Sequence, residues 1–178
     1  MRIISGKARG SKLSAPEGLD TRPTLDRVRE AIFSMLFGVV EDASVLDLFA
    51  GSGAMGLEAL SRGAKAVDFV DISAEACGCV NGNLAKTRLQ GGNVFRKDFK
   101  TFLKECSQSY DVIFLDPPYE SGYYTDALDT IKERGLLSEG GIIVAECDDP
   151  DGFDPCGFEV DRQRKYGKAV VYLLKQVL

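Results

Sequence analysis

Two turns in this chain carry residue types suited to group transfer. The apolar run Tyr110-Asp111-Val112-Ile113-Phe114-Leu115 closes on Asp116-Pro117-Pro118-Tyr119, and an earlier run closes on Asp47-Leu48-Phe49-Ala50-Gly51-Ser52-Gly53. Each turn sits where a buried strand would end, and open α/β sheets bind ligands in the crevice outside the carboxyl ends of their strands. One turn can hold a cofactor and the other a substrate.

Gly51, Gly53 and Gly56 satisfy G-x-G-x-x-G, a pattern shared by nicotinamide, flavin and other nucleotide binders. Asp47 adds a carboxylate at the strand end, which would repel a pyrophosphate but suits a cationic ligand. Asp71 ends the next strand, where an acidic side chain can accept both ribose hydroxyls of an adenosine. Asp98 ends the third; it can receive an adenine amino group or serve as a helix cap. The expected cofactor set is Asp47, Phe49, Ala50, Gly51, Gly53, Asp71, Ile72, Asp98, Phe99 and Asp116. Three carboxylates at successive strand ends point to S-adenosylmethionine, a sulfonium cation without phosphate.

At the second turn, two prolines fix the backbone and remove two donors, so that local carbonyls can accept hydrogen bonds from a substrate. Asp116 and the Pro117 carbonyl could grip an exocyclic amino group. Tyr119 offers a flat face for a base, a contact worth about 1–3 kcal/mol. Asp116, Pro117 and Tyr119 are the expected catalytic residues.

Composition narrows the chemistry. There is no histidine, which excludes Ser-His-Asp and Cys-His machinery and histidine-ligated metals. The five cysteines, Cys77, Cys79, Cys106, Cys147 and Cys156, lack the spacing of a zinc ribbon or a disulfide framework and read as reduced structural residues. No metal is expected. The 178 residues suit one domain, and no apolar run spans a bilayer or marks a signal peptide, so a cytoplasmic protein without membrane attachment is expected; a monomer is expected as well.

The net charge is -5 but unevenly spread, with residues 1–29 at +4 and the rest at -9. Arg2, Lys7, Arg9, Lys12, Arg22, Arg27 and Arg29 form one basic group, and Arg162, Arg164, Lys165 and Lys168 around Tyr166 form a second. Cations gathered on an acidic body suit phosphate contact, although solvated loops give the same pattern. The expected RNA-binding residues are the first seven with Arg164, Tyr166 and Lys168.

The elements that must position these residues follow from periodicity. Met1 to Ser5 reads as a short strand and the loop to Pro23 as an appendage. Thr24 would cap a helix with its stripe at Leu25, Val28, Ala31, Ile32, Met35 and Leu36. From Ser44 strands (45–49, 66–70, 93–96, 112–115, 142–145) alternate with helices (54–61, 74–89, 99–106, 124–134), which implies a mostly parallel sheet covered on both faces. Residues 158–160 and 169–174 lack an intervening helix and should form a terminal antiparallel hairpin.

Asp116 to Tyr119 resembles the D/N-P-P-Y/F motif of amino-group methyltransferases, and Asp47 to Gly53 resembles their motif I. More narrowly, Arg2-Ile3-Ile4-Ser5-Gly6, Arg9-Gly10-x-x-Leu13, Arg22-Pro23-Thr24-x-Asp26-Arg27-Val28-Arg29-Glu30-Ala31-x-Phe33 and Leu57-Glu58-Ala59-Leu60-Ser61-Arg62-Gly63 resemble the RsmD family. The resemblance covers nearly the whole chain. It implies a Rossmann-like class I S-adenosylmethionine-dependent methyltransferase fold, residues 1–23 as a basic RNA-docking extension and 24–178 as the methyltransferase domain. It also implies methylation of the N2 amino group of one guanine in bacterial small-subunit (16S) ribosomal RNA, within an assembling subunit. Departures are Lys168-Ala169 after Tyr166-Gly167, and Gly78, Cys79 and Gly82 in the second βαβ helix, which should affect packing. Alternatives are a DNA adenine-N6 or protein-glutamine methyltransferase, or a dinucleotide-binding oxidoreductase or regulator. The first would need a larger reading region, the second favours Asn at position 116, and the last leaves the Pro-Pro turn unexplained.

Overall fold

The computed structural model describes residues 1–18, 23–118, 122–147 and 152–177. Its strands are β1 (Ser44–Asp47), β2 (Ala66–Asp71), β3 (Gly92–Arg96), β4 (Tyr110–Leu115), β5 (Leu137–Cys147), β6 (Glu159–Tyr166) and β7 (Ala169–Lys175). The helices are α1 (Pro23–Met35), α2 (Ala54–Ser61), α3 (Ala74–Thr87), α4 (Phe99–Glu105) and α5 (Tyr123–Arg134). One sheet runs β3-β2-β1-β4-β5-β7-β6. β1 to β5 are parallel, and β7 lies antiparallel to both β5 and β6. Strand order reverses between β1 and β4, so a crevice opens where the two motif turns emerge.

Alternate residues of each strand face opposite layers. Val45, Val67, Phe69, Val112, Phe114 and Val144 pack with α1, α2, α3 and the amino-terminal segment. Leu46, Val70, Ile113, Leu115 and Ile143 pack with α4 and α5. The third glycine of the pattern serves this packing: a Cβ on Gly56 would lie 2.3 Å from Phe69 Cε1.

Several element ends differ from expectation. α1 begins at Pro23, so Thr24 lies inside the helix rather than capping it. β5 starts at Leu137, where a register shift lets Ser138 to Gly141 intervene between the Tyr110 and Val112 pairings. β6 runs through eight mostly charged residues, an edge strand that no apolar alternation announces. Gly78 and Gly82 face open space, so these departures leave packing untouched; Ala76, Cys77, Val80 and Asn83 supply the buried face of α3.

Met1 to Ser5 is not a strand but one antiparallel bridge, Arg2 with Lys12. The segment turns at Gly6 and Gly10, both at φ 83, and buries Ile3, Ala8 and Leu13 in the core. Its anchor is Glu58, with 0% of its surface exposed. The Glu58 carboxylate accepts Ile4 N–H at 2.8 Å, Ser5 N–H at 3.0 Å and Arg62 Nε at 2.8 Å, with Arg29 Nε 3.8 Å away. Beside it, Lys7 N–H donates to Ser61 O at 2.8 Å and Ala8 N–H to Ser61 Oγ at 2.9 Å. A Cβ on Gly6 would fall 1.8 Å from Ser61 O, so only glycine permits this approach.

Removing one partner of a buried ion pair strands the other charge. Glu58→Ala should therefore destabilise the protein by about 3–5 kcal/mol, and Glu58→Gln, which keeps one acceptor, by less. Denaturant unfolding at neutral pH checks both.

Candidate active site

The glycine turn is held by its neighbours on both sides. Ala50 N–H donates to Val70 O at 3.0 Å, and Gly53 N–H to Ala50 O at 2.7 Å. Gly51 and Gly53 adopt φ 55 and 76, a region that favours glycine. Asp71 ties this turn to the next: Oδ2 accepts Gly51 N–H at 2.9 Å and Oδ1 accepts Ser73 N–H at 2.9 Å. Asn83, 1% exposed, donates to Ser52 O at 3.0 Å and Ser14 O at 2.9 Å, and accepts Ser14 N–H at 2.9 Å. The amino-terminal segment is thereby fastened to the glycine turn.

A cleft of ≈ 910 Å³ opens at the switch between β1 and β4, lined among others by Phe49, Gly51, Asp71, Ile72, Asp98, Phe99, Asp116 and Pro117. Seven of the ten residues expected to hold the cofactor meet there. Asp98 also caps α4, its Oδ1 accepting Lys100 N–H at 3.0 Å and Thr101 N–H at 3.2 Å, so the helix-cap reading of it holds. An adjoining cavity of ≈ 210 Å³ takes in Met1, Arg29, Asp47, Ala50, Ser52, Asp116 and Glu146. Gly53 lies behind the turn, buried against Val80 and Leu57.

Sequence reasoning missed several members of the wall. Tyr123 stacks nearly parallel to Phe49 with centroids 6.1 Å apart and tilts against Phe99 at 4.9 Å, making an aromatic side to the cleft. Its position past the Pro-Pro turn is the signal that could have found it. Glu146 lines both cavities and could have been found as the carboxylate closing the next apolar run. Tyr119 and Arg22 lie outside the described residues.

Arg29 corrects an expectation. Its sequence position groups it with the RNA-binding cations, yet only 4% of it is exposed. Its guanidinium donates to Arg2 O at 2.5 Å and Asp26 Oδ1 at 2.9 Å, so it serves the cavity wall and the amino-terminal joint rather than the surface. Arg2, Lys7, Arg9, Lys12, Arg27, Arg164 and Lys168 are exposed. Pro16 and Glu17 of the amino-terminal segment, and Tyr166 and Lys168 of the hairpin tip, line the same cleft.

Asp47 is the electrostatic extreme of the site. Burial, opposed by the hydrogen bond from Gly56 N–H and assisted by the Asp71 charge, pushes its carboxyl from 3.8 up to about 7. Between those values the native protein holds a proton that the unfolded chain has released, so stability falls as pH rises through that window. Asp47→Asn keeps an acceptor for Gly56 and removes this loss. Thermal unfolding should show the variant more stable than the parent near pH 8, by up to about 4 kcal/mol, with the gain vanishing near pH 4.

Comparison with known proteins agrees with this geometry. The family model described as Conserved hypothetical protein 95 matches residues 1–175. Ribosomal RNA small subunit methyltransferase D of Escherichia coli (strain K12) is 34% identical over 178 residues, which are 99% of this chain and 89% of that protein. The solved structure of the Escherichia coli protein yhhF superposes with a TM-score of 0.90 at 33% identity, covering 100% of this chain and 99% of that one. At 16% identity the precorrin-6y C5,15-methyltransferase of Geobacter metallireducens GS-15 shares the fold alone, with a TM-score of 0.73 over 93% of this chain and 95% of that one. The architecture is the Rossmann-like class I methyltransferase fold. With its signature segments 2–6, 26–33 and 57–63 meeting in one joint around Glu58, the chain belongs to the Conserved hypothetical protein 95 family, the RsmD family of methyltransferases.

Proposed function

We propose that the chain transfers a methyl group from S-adenosylmethionine to the exocyclic N2 amino group of a guanine in small-subunit ribosomal RNA. The observation that carries this reading is the single cleft shared by the glycine turn and the Asp116-Pro117 turn, in a chain whose Escherichia coli relative is named for small-subunit ribosomal RNA.

The residues present fit this cofactor. Ile72, 68% exposed, offers an apolar face beside Asp71, suited to a purine. Arg29 stands in the wall of the smaller cavity, where a guanidinium charge suits the carboxylate of an amino-acid tail. When bound, the cofactor supplies an electrophilic methyl group on a sulfonium. Asp71 would hold the ribose, Ile72, Asp98 and Phe99 the adenine, and Asp47, Phe49, Ala50, Gly51 and Gly53 the remainder. A neighbouring cation would draw Asp47 towards its charged form.

A guanine amino group is a poor nucleophile because its lone pair is delocalised into the ring. Hydrogen bonds from its N–H groups to Asp116 and the Pro117 carbonyl would localise that pair, and the carboxylate would stabilise positive charge developing on nitrogen. Positioning supplies much of the remaining acceleration, and no role here calls on a metal. Tyr119 would stack on the base, reached as a loop nucleotide or one flipped from its helix.

Residues 1–23 act in this reading as the RNA-docking extension of a methyltransferase domain spanning 24–178, with Arg27, Arg164, Tyr166 and Lys168 completing the contact. The substrate is an assembling small subunit in the cytoplasm, met by a monomeric enzyme. The exposure of Arg2, Lys7, Arg9 and Lys12 on a segment firmly docked to α2 supports this assignment.

Labelled donor with ribosomal RNA and small-subunit particles, followed by mapping of the product, should place the methyl on guanine N2. In calorimetry, Asp71→Ala should weaken cofactor binding by about 1.5–3 kcal/mol per charged hydrogen bond removed. Asp116→Ala should keep cofactor affinity and lose most single-turnover activity.

Replacing Arg9 and Lys12 together with Ala should lower RNA affinity and flatten its log-log salt dependence by about 0.7–0.9 for each phosphate no longer neutralised. Cofactor affinity should stay constant. An unchanged salt slope with full activity on ribosomal substrate would leave the segment merely solvated.

A further inference from the structure

Glu146 is a second carboxylate at the substrate end of the cleft, and the expected catalytic set does not use it. β4 and β5 are parallel neighbours with Phe114 opposite Val144 and Leu115 opposite Ala145. Continued by one residue, that register would set Asp116 beside Glu146. Phe114 and Val144 face the α1–α3 layer, whereas Leu115 and Ala145 face the α4–α5 layer, so alternation puts Asp116 and Glu146 on the first of these faces. Both line the larger cleft and the smaller cavity. Adjacent strands lie about 4.8 Å apart, which brings two carboxylates to one edge of a planar base.

The Glu146 backbone is fixed independently of any ligand. It pairs with Val171 in the antiparallel ladder, and the Tyr124 hydroxyl donates to its carbonyl oxygen. Tyr124 is in turn set edge-on to Phe153 at 5.7 Å, and Phe153 stacks on Tyr172 at 4.3 Å. A side chain on so firmly held a strand end can read a base rather than follow it.

We infer that Glu146 is the specificity residue for guanine, its carboxylate accepting the N1–H that lies next to the amino group gripped by Asp116. This inference rests on the guanine-N2 reading above. An ionised carboxylate only accepts hydrogen bonds. Guanine presents two donor groups side by side, N1–H and N2–H₂, and satisfies both carboxylates. A base with an N1 lone pair beside its amino group, as in adenine or 2-aminopurine, would set that lone pair against Glu146. A site built to receive a hydrogen bond discriminates against an analogue that presents a lone pair in its place.

The test uses the full-length protein and ribosomal substrate carrying either guanosine or 2-aminopurine riboside at the mapped target; 2-aminopurine keeps the amino group but lacks N1–H. Single-turnover rates and KM are measured for the parent and for Glu146→Gln, whose amide can either accept or donate. The parent should favour guanosine by about 10- to 100-fold, the range expected when one charged hydrogen bond is missing, and Glu146→Gln should narrow that ratio tenfold or more. A purely structural Glu146 would slow both substrates alike, and an unmoved ratio overturns the inference. So does a parent that fails to discriminate, which needs no variant at all. If the parent places no methyl on guanine N2, the functional reading itself falls; if it does so while the ratio stays fixed, only the role of Glu146 falls.

Discussion

The buried carboxylate of Glu58 is the contact on which the active face depends. It sits on the short helix that follows the glycine turn, and it gathers two backbone amides from the amino-terminal segment, Arg62 from its own helix and Arg29 from α1. A charge with no solvent exposure is tolerated only when it is fully paired and hydrogen-bonded. Three stretches of chain that are far apart in sequence are therefore obliged to meet at one point. Arg29 and Met1, brought in by that joint, become part of the wall of the smaller cavity.

The second organising constraint is the concentration of carboxylates at the strand ends. Asp47, Asp71, Asp116 and Glu146 all reach the crevice, and the carboxyl of Asp47 is pushed up to about 7, by burial first and by the Asp71 charge in smaller part. Such a site prefers a cation and groups that donate hydrogen bonds. It would by itself repel a polyanion; under the proposed function the exposed cations of the amino-terminal segment and the hairpin, carried by separate elements, would offset that repulsion.

Much of this was legible in the sequence because the relevant signals are local. The two turns follow apolar runs, and the glycines and prolines in them have few other uses. The alternation of strands and helices, with the closing hairpin, was readable for the same reason. What stayed hidden is relational. Arg29 has the same sequence appearance as Arg27, yet one is exposed and the other is enclosed by Glu58 and Asp26. Glu146 has the sequence appearance of an ordinary strand-end residue, and only the register of β5 with β4, which pairs Leu115 with Ala145, brings its strand end level with that of Asp116. Polar β6 has no apolar period to reveal it, because its residues are exposed along nearly the whole strand.

The docking of the amino terminus also has a direction in time. Its hydrogen-bond partners among the described residues, Arg29, Ser52, Glu58, Ser61, Glu75 and Asn83, all precede residue 84. A chain emerging vectorially can close this face with α1, α2 and α3 in place before β4 has been made. Closing a loop of some fifty residues adds little entropy cost over a shorter one, so nothing requires the segment to wait. β1 would then stand with β2 on one side and an open edge on the other. The strand that fills this edge is β4, and the Asp116-Pro117 turn is the last part of that insertion to arrive.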